Sequence, residues 1–184
     1  MQNSFVRVLV LASTLTCFVA ALATAPGAQA ATTRAQTIAE TDDFRRQTWR
    51  LQKLMGKKRT PTFYEERRTP DTAYRTWVRN LWKRRAAKAL TQAQNPPHRS
   101  AWMCIHRYER HPAQGWSTRT GNGYYGGLQM DITFQRTYGP ELLRRKGTAN
   151  NWAPHEQMWV AERAYKSGRG FYPWPNTARY CGLI

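Results

Sequence analysis

Glu109 is the residue with the clearest capacity for chemistry, because it is a carboxylate on the apolar face of a predicted helix. Ser100 can cap this helix, and Trp102, Ile105 and Glu109 recur at steps of three and four residues, so they share one inward face. Burial and the negative end of the helix dipole both favour a carboxylic acid that keeps its proton. Pro112 stops the helix close by. The pattern indicates a general acid.

Other chemistry has weaker support. The same carboxylate could instead pair with Arg107 or Arg110, and the helix alone leaves both interpretations open. His155-Glu156 lacks the second histidine of the H-E-x-x-H zinc motif, and His106 and His111 are five residues apart, off one helical face. No G-x-S-x-G nucleophile motif is present. We expect no metal site and no cofactor.

The glycine-rich stretch Thr120–Gly127, TGNGYYGG, contains the G-x-G-x-x-G pattern of dinucleotide-binding loops. Such a loop must follow a buried strand and begin a helix. Here the preceding segment, Gln114–Thr120, is polar, and the residues from Gly127 to Met130 continue like a strand. The nucleotide interpretation therefore fails, and Asn122-Gly123 predicts a β-hairpin instead.

Aromatic and amide side chains accompany these glycines in a combination that suits a sugar ring. Trp116 and Tyr124 offer stacking faces, and Asn122 and Gln129 offer hydrogen-bonding groups. Glycine in a strand also allows a ligand to approach the backbone closely. We expect these residues to bind a glycan, and a purely structural hairpin is the alternative.

Three segments resemble the resuscitation-promoting factor family of transglycosylase-like domains. They are Trp102…Glu109…Trp116-x-x-x-Thr120-Gly121-Asn122-Gly123-Tyr124-Tyr125-Gly126-Gly127-Leu128-Gln129, then Glu156-Gln157-Met158-Trp159-Val160-Ala161-Glu162-Arg163, and last Trp174-Pro175…Cys181-Gly182-Leu183. The resemblance covers residues 98–184. It implies a small lysozyme-like α+β fold, helices plus a short β-hairpin, that cleaves the β-1,4 bond between N-acetylmuramic acid and N-acetylglucosamine in peptidoglycan.

The resemblance also implies roles for individual residues. The catalytic glutamate of the family follows a tryptophan by seven residues, as Glu109 follows Trp102. The substrate-contacting tyrosine corresponds to Tyr124, the glutamine of the later helix to Gln157, and the cleft threonine to Thr133. The segment before Thr133 is one residue shorter than in the family.

The sequence departs from the family near the acid. Tyr108 stands where the family has a cysteine, while Cys104 lies one helical turn earlier, and Cys181 lies further from the Trp-Pro pair than the second family cysteine. We infer that the disulfide has moved along the chain. Arg119 replaces an asparagine, and the segment that follows Glu109 holds two extra residues, so the cleft near the acid is expected to differ in shape.

The number of carboxylates bears on the mechanism. Ordinary glycosidases need two, and Asp131 is the only plausible second group, since Glu156 fits a first-turn dipole partner and Glu162 a helix-surface ion pair. A lytic transglycosylase needs only Glu109, because the 6-hydroxyl of the sugar attacks intramolecularly and leaves a 1,6-anhydro product. We expect this reaction. Hydrolysis by a muramidase through Asp131 and a non-catalytic wall-binding protein are the alternatives.

Residues 1–30 have the pattern of a secretory signal peptide. Arg7 precedes the apolar run Val8–Ala25, and Ala28-Gln29-Ala30 forms a small-x-small cleavage site. The run is nearly long enough to span a membrane, so a retained anchor is the alternative. Loss of Cys17 would leave Cys104 and Cys181, an even pair that indicates a disulfide in an exported protein, with free thiols as the alternative.

The chain is strongly basic, with 29 basic and 11 acidic side chains and a net charge of +18. Removal of residues 1–30 would take away Arg7 alone, leaving 28 basic against 11 acidic side chains, or +17. Such a charge attracts polyanions. We expect a secreted, wall-associated protein whose partners are peptidoglycan strands and anionic wall polymers. An exported nucleic-acid binder is a further alternative, and we expect no specific nucleic acid.

Residues 31–97 are predicted to form a basic helical arm. One helix spans about Thr41 to Leu54, the linker Gly56–Pro61 is basic, and Thr69-Pro70-Asp71 begins a second helix. Its apolar stripe consists of Tyr74, Trp77, Val78, Leu81 and Trp82. We expect a helical hairpin that packs on itself or on the next domain, and an arm that docks on the wall or a membrane is the alternative.

Overall fold

The computed structural model describes residues 26–184, with side chains from residue 33 onward except that of Arg67. The apolar run of the predicted signal peptide lies outside these residues. Within the described part of the chain, no helix is both long enough and apolar enough to cross a membrane. The helices are α1 (Pro26–Leu54), α2 (Glu65–Arg68), α3 (Thr72–Ala93), α4 (Arg99–Glu109), α5 (Ile132–Tyr138), α6 (Pro140–Lys146), α7 (Pro154–Ala164) and α8 (Pro175–Tyr180), and the strands are β1 (Tyr124–Tyr125) and β2 (Met130–Asp131).

Helices α1 and α3 lie side by side and run in the same direction. Arg79 Nη1 is 3.2 Å from Glu40 Oε2 near one end of the pair. Lys57 Nζ donates to Gln92 Oε1 at 2.8 Å near the other end. Residue numbers rise together along both helices, so the expected hairpin of opposed helices is wrong. The linker 55–71 is long enough to return along the pair before α3 begins.

The N-cap of α3 is Asp71, two residues after the predicted capping threonine, and its side chain accepts hydrogen bonds from two N–H groups of the first turn. Val78 and Trp82 are buried as predicted. Trp77, in contrast, is 52% exposed, and Arg75 of the predicted polar face is buried. Arg75 lies three residues before Val78 and seven before Trp82, which places it on the face toward α1.

The two helices pack on the rest of the chain through a shared apolar core. Trp159 Nε1 on α7 donates to the Ala93 carbonyl at the end of α3, at 2.8 Å. Arg163 Nη2, one turn further along α7, donates to the Leu54 carbonyl at 3.1 Å. The arm residues in the common core are Leu51, Leu54, Met55, Ala89 and Ala93.

Strands β1 and β2 form an antiparallel pair with Tyr124 opposite Asp131. A tight turn, in which Gln129 N donates to the Gly126 carbonyl at 3.1 Å, connects them. The turn therefore lies after the position predicted from Asn122-Gly123. That dipeptide belongs to the loop before β1, where the left-handed φ values of +82° and +85° fall on Gly121 and Gly123.

Helices make up most of the chain after the hairpin. Helices α5 and α6 occupy the region between β2 and Lys146, and α7 begins at Pro154. The proline- and aromatic-rich tail after α7 contains α8. Helices around a two-stranded sheet confirm the predicted α+β fold class.

Candidate active site

Helix α4 places Glu109 at its last position. Trp102 and Ile105 are completely buried and fix the helix against the core, whereas Glu109 is half-buried. The helix begins at Arg99, and its N-cap is His98 rather than Ser100. The His98 N–H donates to Glu162 Oε1 at 2.9 Å, so a carboxylate from α7 binds the backbone of the N-cap residue.

The carboxyl of Glu109 is held by a hydroxyl, and among the described residues it takes part in no ion pair. Thr177 on α8 donates through Oγ1 to Glu109 Oε1. Arg110, a candidate partner from the sequence, donates instead to the Pro112 carbonyl at 3.0 Å. The alternative of a carboxylate locked to a neighbouring guanidinium is therefore not what the structure shows.

Helix α8 is joined to α4 and to the hairpin. Cys104 and Cys181 form the predicted disulfide, with their Cα atoms 6.0 Å apart. Trp174, the N-cap residue of α8, donates through its indole N–H to the Leu128 carbonyl at 2.6 Å. Glu109 is thus linked, through Thr177 in the first turn of α8, to Trp174. Trp174 also lines the groove described next.

A groove lies along β2 and the start of α5, and it contains three of the predicted sugar contacts. Tyr124 is 47% exposed and borders the groove together with Gln129 and Thr133. The side chain of Gln129 also donates to the Gly126 carbonyl at 2.8 Å, which holds the turn. Glu109 is not among the residues that line this groove. The other residues that line it are Met130, Asp131, Phe134, Thr137, Tyr138, Arg169, Pro173 and Trp174.

The far end of the groove holds a phenol and a cation that sequence reasoning missed. Tyr138 and Arg169 both line it. A hydrogen bond with Ser167 lowers the pKa of Tyr138, and the positive charge of Arg169 acts in the same direction. Neither residue falls in a recognisable motif, and their proximity depends on the wide turn Tyr165–Arg169 after α7.

Asp131, the predicted second carboxylate, lies in the groove but has a structural task. Its Oδ1 accepts a hydrogen bond of 2.7 Å from the Phe134 N–H and caps α5. One oxygen of the carboxylate is therefore already engaged. Among the described residues, no cluster of three or more His, Cys, Asp and Glu is placed to hold a metal ion.

Trp116 and Asn122 are not brought into the groove. The indole of Trp116 stacks on the His106 ring at 3.9 Å, with the ring planes only 8° apart. Gly127 passes directly beside this stack, and a Cβ there would lie 2.4 Å from His106 Nδ1. Burial lowers the pKa of His106. Asn122 is exposed and accepts from the Tyr124 N–H at 3.1 Å, which shapes the loop.

Gln157, expected to contact the substrate, is completely buried. Its Oε1 accepts from the Gly127 N–H at 2.8 Å. Its Nε2 lies within 3.0 Å of the carbonyls of Trp116, Ala149 and Trp152. Both ends of the amide are occupied by backbone groups, so the side chain joins α7 to the hairpin from within.

The two glutamates of α7 differ from each other. Glu156 behaves as predicted for the first turn of α7, since its Oε2 accepts from the Ala153 N–H at 2.8 Å and pairs with Lys146 Nζ at 2.6 Å. Glu162 was predicted as a surface ion pair, and this is wrong because its side chain is completely buried. It accepts from the Trp102 indole N–H at 2.8 Å.

The region that contains the candidate site is also the region in which the chain is similar to known proteins. Residues 97–177 match the family described as transglycosylase-like domain. Resuscitation-promoting factor RpfE of Mycobacterium tuberculosis is 41% identical over 64 residues, which are 35% of this chain and 34% of the relative. Resuscitation-promoting factor Rpf1 of Corynebacterium glutamicum is 35% identical over 68 residues, 37% of this chain and 34% of the relative.

The chain thus spans about a third of the length of the curated relatives that it matches. No solved structure matches it. The matched residues contain α4, the hairpin, the groove and the start of α8, and they include both Glu109 and Thr177. Residues 97–177 are therefore similar to the transglycosylase-like domain family and to part of the resuscitation-promoting factors.

Proposed function

We propose that this protein is a secreted lytic transglycosylase that cleaves the β-1,4 bond between N-acetylmuramic acid and N-acetylglucosamine in peptidoglycan. The observation that carries the proposal is the position of Glu109 within the transglycosylase-like domain. Its carboxyl is half-buried, accepts a hydrogen bond from Thr177, and is joined through α8 to a groove with aromatic and hydroxyl groups.

In the proposed reaction Glu109 acts first as acid and then as base. The protonated carboxyl gives its proton to the bridging oxygen, and the bond from that oxygen to C1 of the muramic acid breaks. The resulting Glu109 carboxylate accepts the proton of the 6-hydroxyl while the oxygen of that hydroxyl forms a bond to C1. Glu109 ends protonated, and the products are a 1,6-anhydromuramic acid end and a free N-acetylglucosamine hydroxyl.

The environment of Asp131 favours this reaction over hydrolysis. A second carboxylate that activates water must be oriented toward C1 of the sugar by its surroundings. Asp131 Oδ1 instead caps α5. Because the 6-hydroxyl is part of the substrate, its proximity to C1 replaces a positioned water. The muramidase reaction through Asp131 is the less well supported variant.

The groove is the proposed binding site for the glycan. Tyr124 offers an exposed ring face for stacking, and Gln129 and Thr133 offer polar groups on the same surface. Trp116 and Gln157 would act indirectly by holding the hairpin in place, and Asn122 by shaping the loop before Tyr124.

We further propose that residues 98–184 are the catalytic unit, that residues 31–97 are a basic arm, and that residues 1–30 are a cleavable signal peptide that directs export. The charge of +17 expected after removal of residues 1–30 supports binding to anionic wall polymers. Packing of α1 and α3 on α7 supports an arm that stays attached to the catalytic unit.

Digestion of purified peptidoglycan followed by mass spectrometry of the soluble products tests the proposal. We expect 1,6-anhydro ends from the native protein and at least about a hundredfold less product from Glu109→Gln. Glu65→Gln on the exposed surface of α2 is the control and should retain full activity. Reducing ends would show hydrolysis, and wall pull-down without any product would show a non-catalytic binding protein.

A further inference from the structure

Helices α4 and α8 contact each other along an antiparallel seam. Cys104 bonds to Cys181 at one end of the seam, and Glu109 accepts from Thr177 at the other. Residue numbers fall along α8 as they rise along α4, so the two helices run antiparallel. The hydrogen bond to the carboxyl and the disulfide thus hold the same pair of helices.

Thr177 presents its hydroxyl to Glu109 from a fixed place. The residue is 7% exposed, and its side chain is β-branched, so its rotamer is restricted. It lies in the first turn of α8, which is anchored by the Trp174 indole on the Leu128 carbonyl. A donor on Oε1 leaves Oε2 as the oxygen that exchanges the proton with the sugar.

Helix α8 depends on such attachments to remain in place. It has six residues, and so short a helix is not stable alone in water. Besides the Trp174 anchor, the disulfide and a stack of Tyr108 on Tyr180, with ring centroids 5.8 Å apart, hold its second half. Both aromatic rings of that stack are exposed, which leaves the disulfide as the stronger restraint on the seam.

We propose that Thr177 is a positioning residue for Glu109, and that the Cys104–Cys181 disulfide affects turnover through this hydrogen bond. The inference rests on the proposed function, in which Glu109 exchanges a proton with the glycan. A mobile carboxyl spends less time in the orientation that reaches the bridging oxygen, so the rate falls while binding in the groove persists. The disulfide then holds α8 in place, and the Thr177 hydroxyl on α8 orients Glu109, so both affect the same proton transfer.

Four variants test this on a soluble glycan substrate, with kcat and KM measured separately. Thr177→Val should lower kcat by about tenfold, the size expected for one hydrogen bond to an ionisable group, and leave KM within about twofold. Thr177→Ser should restore most of kcat. Cys104→Ser/Cys181→Ser should lower kcat by a similar factor, and adding Thr177→Val to it should change kcat by less than about twofold more.

Thr76→Val, at a half-buried position of α3 in the arm, is the matched control for the threonine substitution. All assays are run at a temperature at which circular dichroism shows every variant folded. A value of kcat for Thr177→Val equal to that of the native protein would overturn the role of Thr177. Multiplication of the two effects in the triple variant would overturn the link between the disulfide and the hydrogen bond.

A second measurement does not need turnover. The 13C resonance of the Glu109 carboxyl, assigned by comparison with Glu109→Gln, should move in Thr177→Val and in the cysteine double variant, and should stay in place in Thr76→Val. Unchanged resonances would overturn the inference even if the native protein releases no product. Shifted resonances with an inactive native protein would instead refute the proposed function alone.

Discussion

The carboxylate of Glu162 lies in the interior and accepts a hydrogen bond of 2.8 Å from the indole N–H of Trp102. A second bond of 2.9 Å comes from the N–H of His98, at the N-terminus of α4. The negative charge therefore faces the positive end of the helix dipole and ties α4 to α7. The helix that ends at Glu109 is fixed at its start by Glu162.

Glu162→Gln should consequently lower the free energy of unfolding by about 1 to 2 kcal/mol, because the amide oxygen still accepts from the two N–H groups but the negative charge that faces the start of α4 is lost. Urea unfolding checks this. Glu65→Gln, an exposed substitution, should change stability by less than about 0.5 kcal/mol. Equal stabilities of native protein and Glu162→Gln would show that the interior carboxylate is dispensable.

Burial of His106 makes the stability of the fold depend on pH. Its pKa is lowered in the folded state, so the unfolded chain binds the proton first as the pH falls below about 6.5. Stability should be complete above that pH and should fall below it, by at most about 1.4 kcal/mol per pH unit for this group. Burial also lowers the pKa of His155, which therefore adds to the loss of stability at low pH.

Thermal unfolding of His106→Gln between pH 7.5 and 5 should therefore show a shallower loss of stability than the native protein. The exposed His111→Gln should follow the native curve. A native curve that is flat below pH 6.5, or a variant that is equally steep, would contradict the assignment to His106.

Gln157 should be important for stability rather than for binding of the glycan. Gln157→Leu leaves the Gly127 N–H and three carbonyls without the amide, so we expect a loss of about 3 kcal/mol or more in urea unfolding. Gln36→Leu on the exposed part of α1 should be close to neutral. A normal stability with a raised KM would restore the substrate-binding role that the family resemblance implies.

Removal of the arm should weaken the remaining domain. Residues 98–184 alone would expose core residues and lose the bonds of Trp159 to Ala93 and of Arg163 to Leu54. We expect a lower unfolding midpoint and stronger binding of a hydrophobic dye than in the full chain. Trp77→Ser in the full chain is the control, because that ring is already half exposed. Unchanged stability would mean that contact with the arm does not stabilise the domain.

The sequence was sufficient where a residue's own neighbours determine its environment. The apolar period that placed Trp102 and Ile105 in the core is local to one helix, and the even pair of cysteines left one pairing. Glu162 was misassigned because it lies on a helix that is buried on nearly every side, so helical spacing could not identify a solvent face.

The partner of Glu109 could not be predicted for a different reason. Thr177 lies 68 residues away in a tail without periodicity, and only the packing of α8 on α4 brings its hydroxyl to the carboxyl. The direction of α3 relative to α1 was likewise hidden, because a linker as long as 55–71 permits either orientation. The residue pattern within a single helix or strand does not reveal which distant segments it will contact.

Asp131→Asn separates the two reactions that the carboxylates allow. Asparagine is as good a helix cap as aspartate, so α5 and the groove should remain intact. If Glu109 alone exchanges protons, kcat should stay within about threefold of the native value, and the products should still carry 1,6-anhydro ends. A second catalytic carboxylate would instead cost at least about a hundredfold on removal. Product analysis by mass spectrometry and initial rates on the same glycan distinguish these outcomes, with Glu109→Gln as the inactive reference.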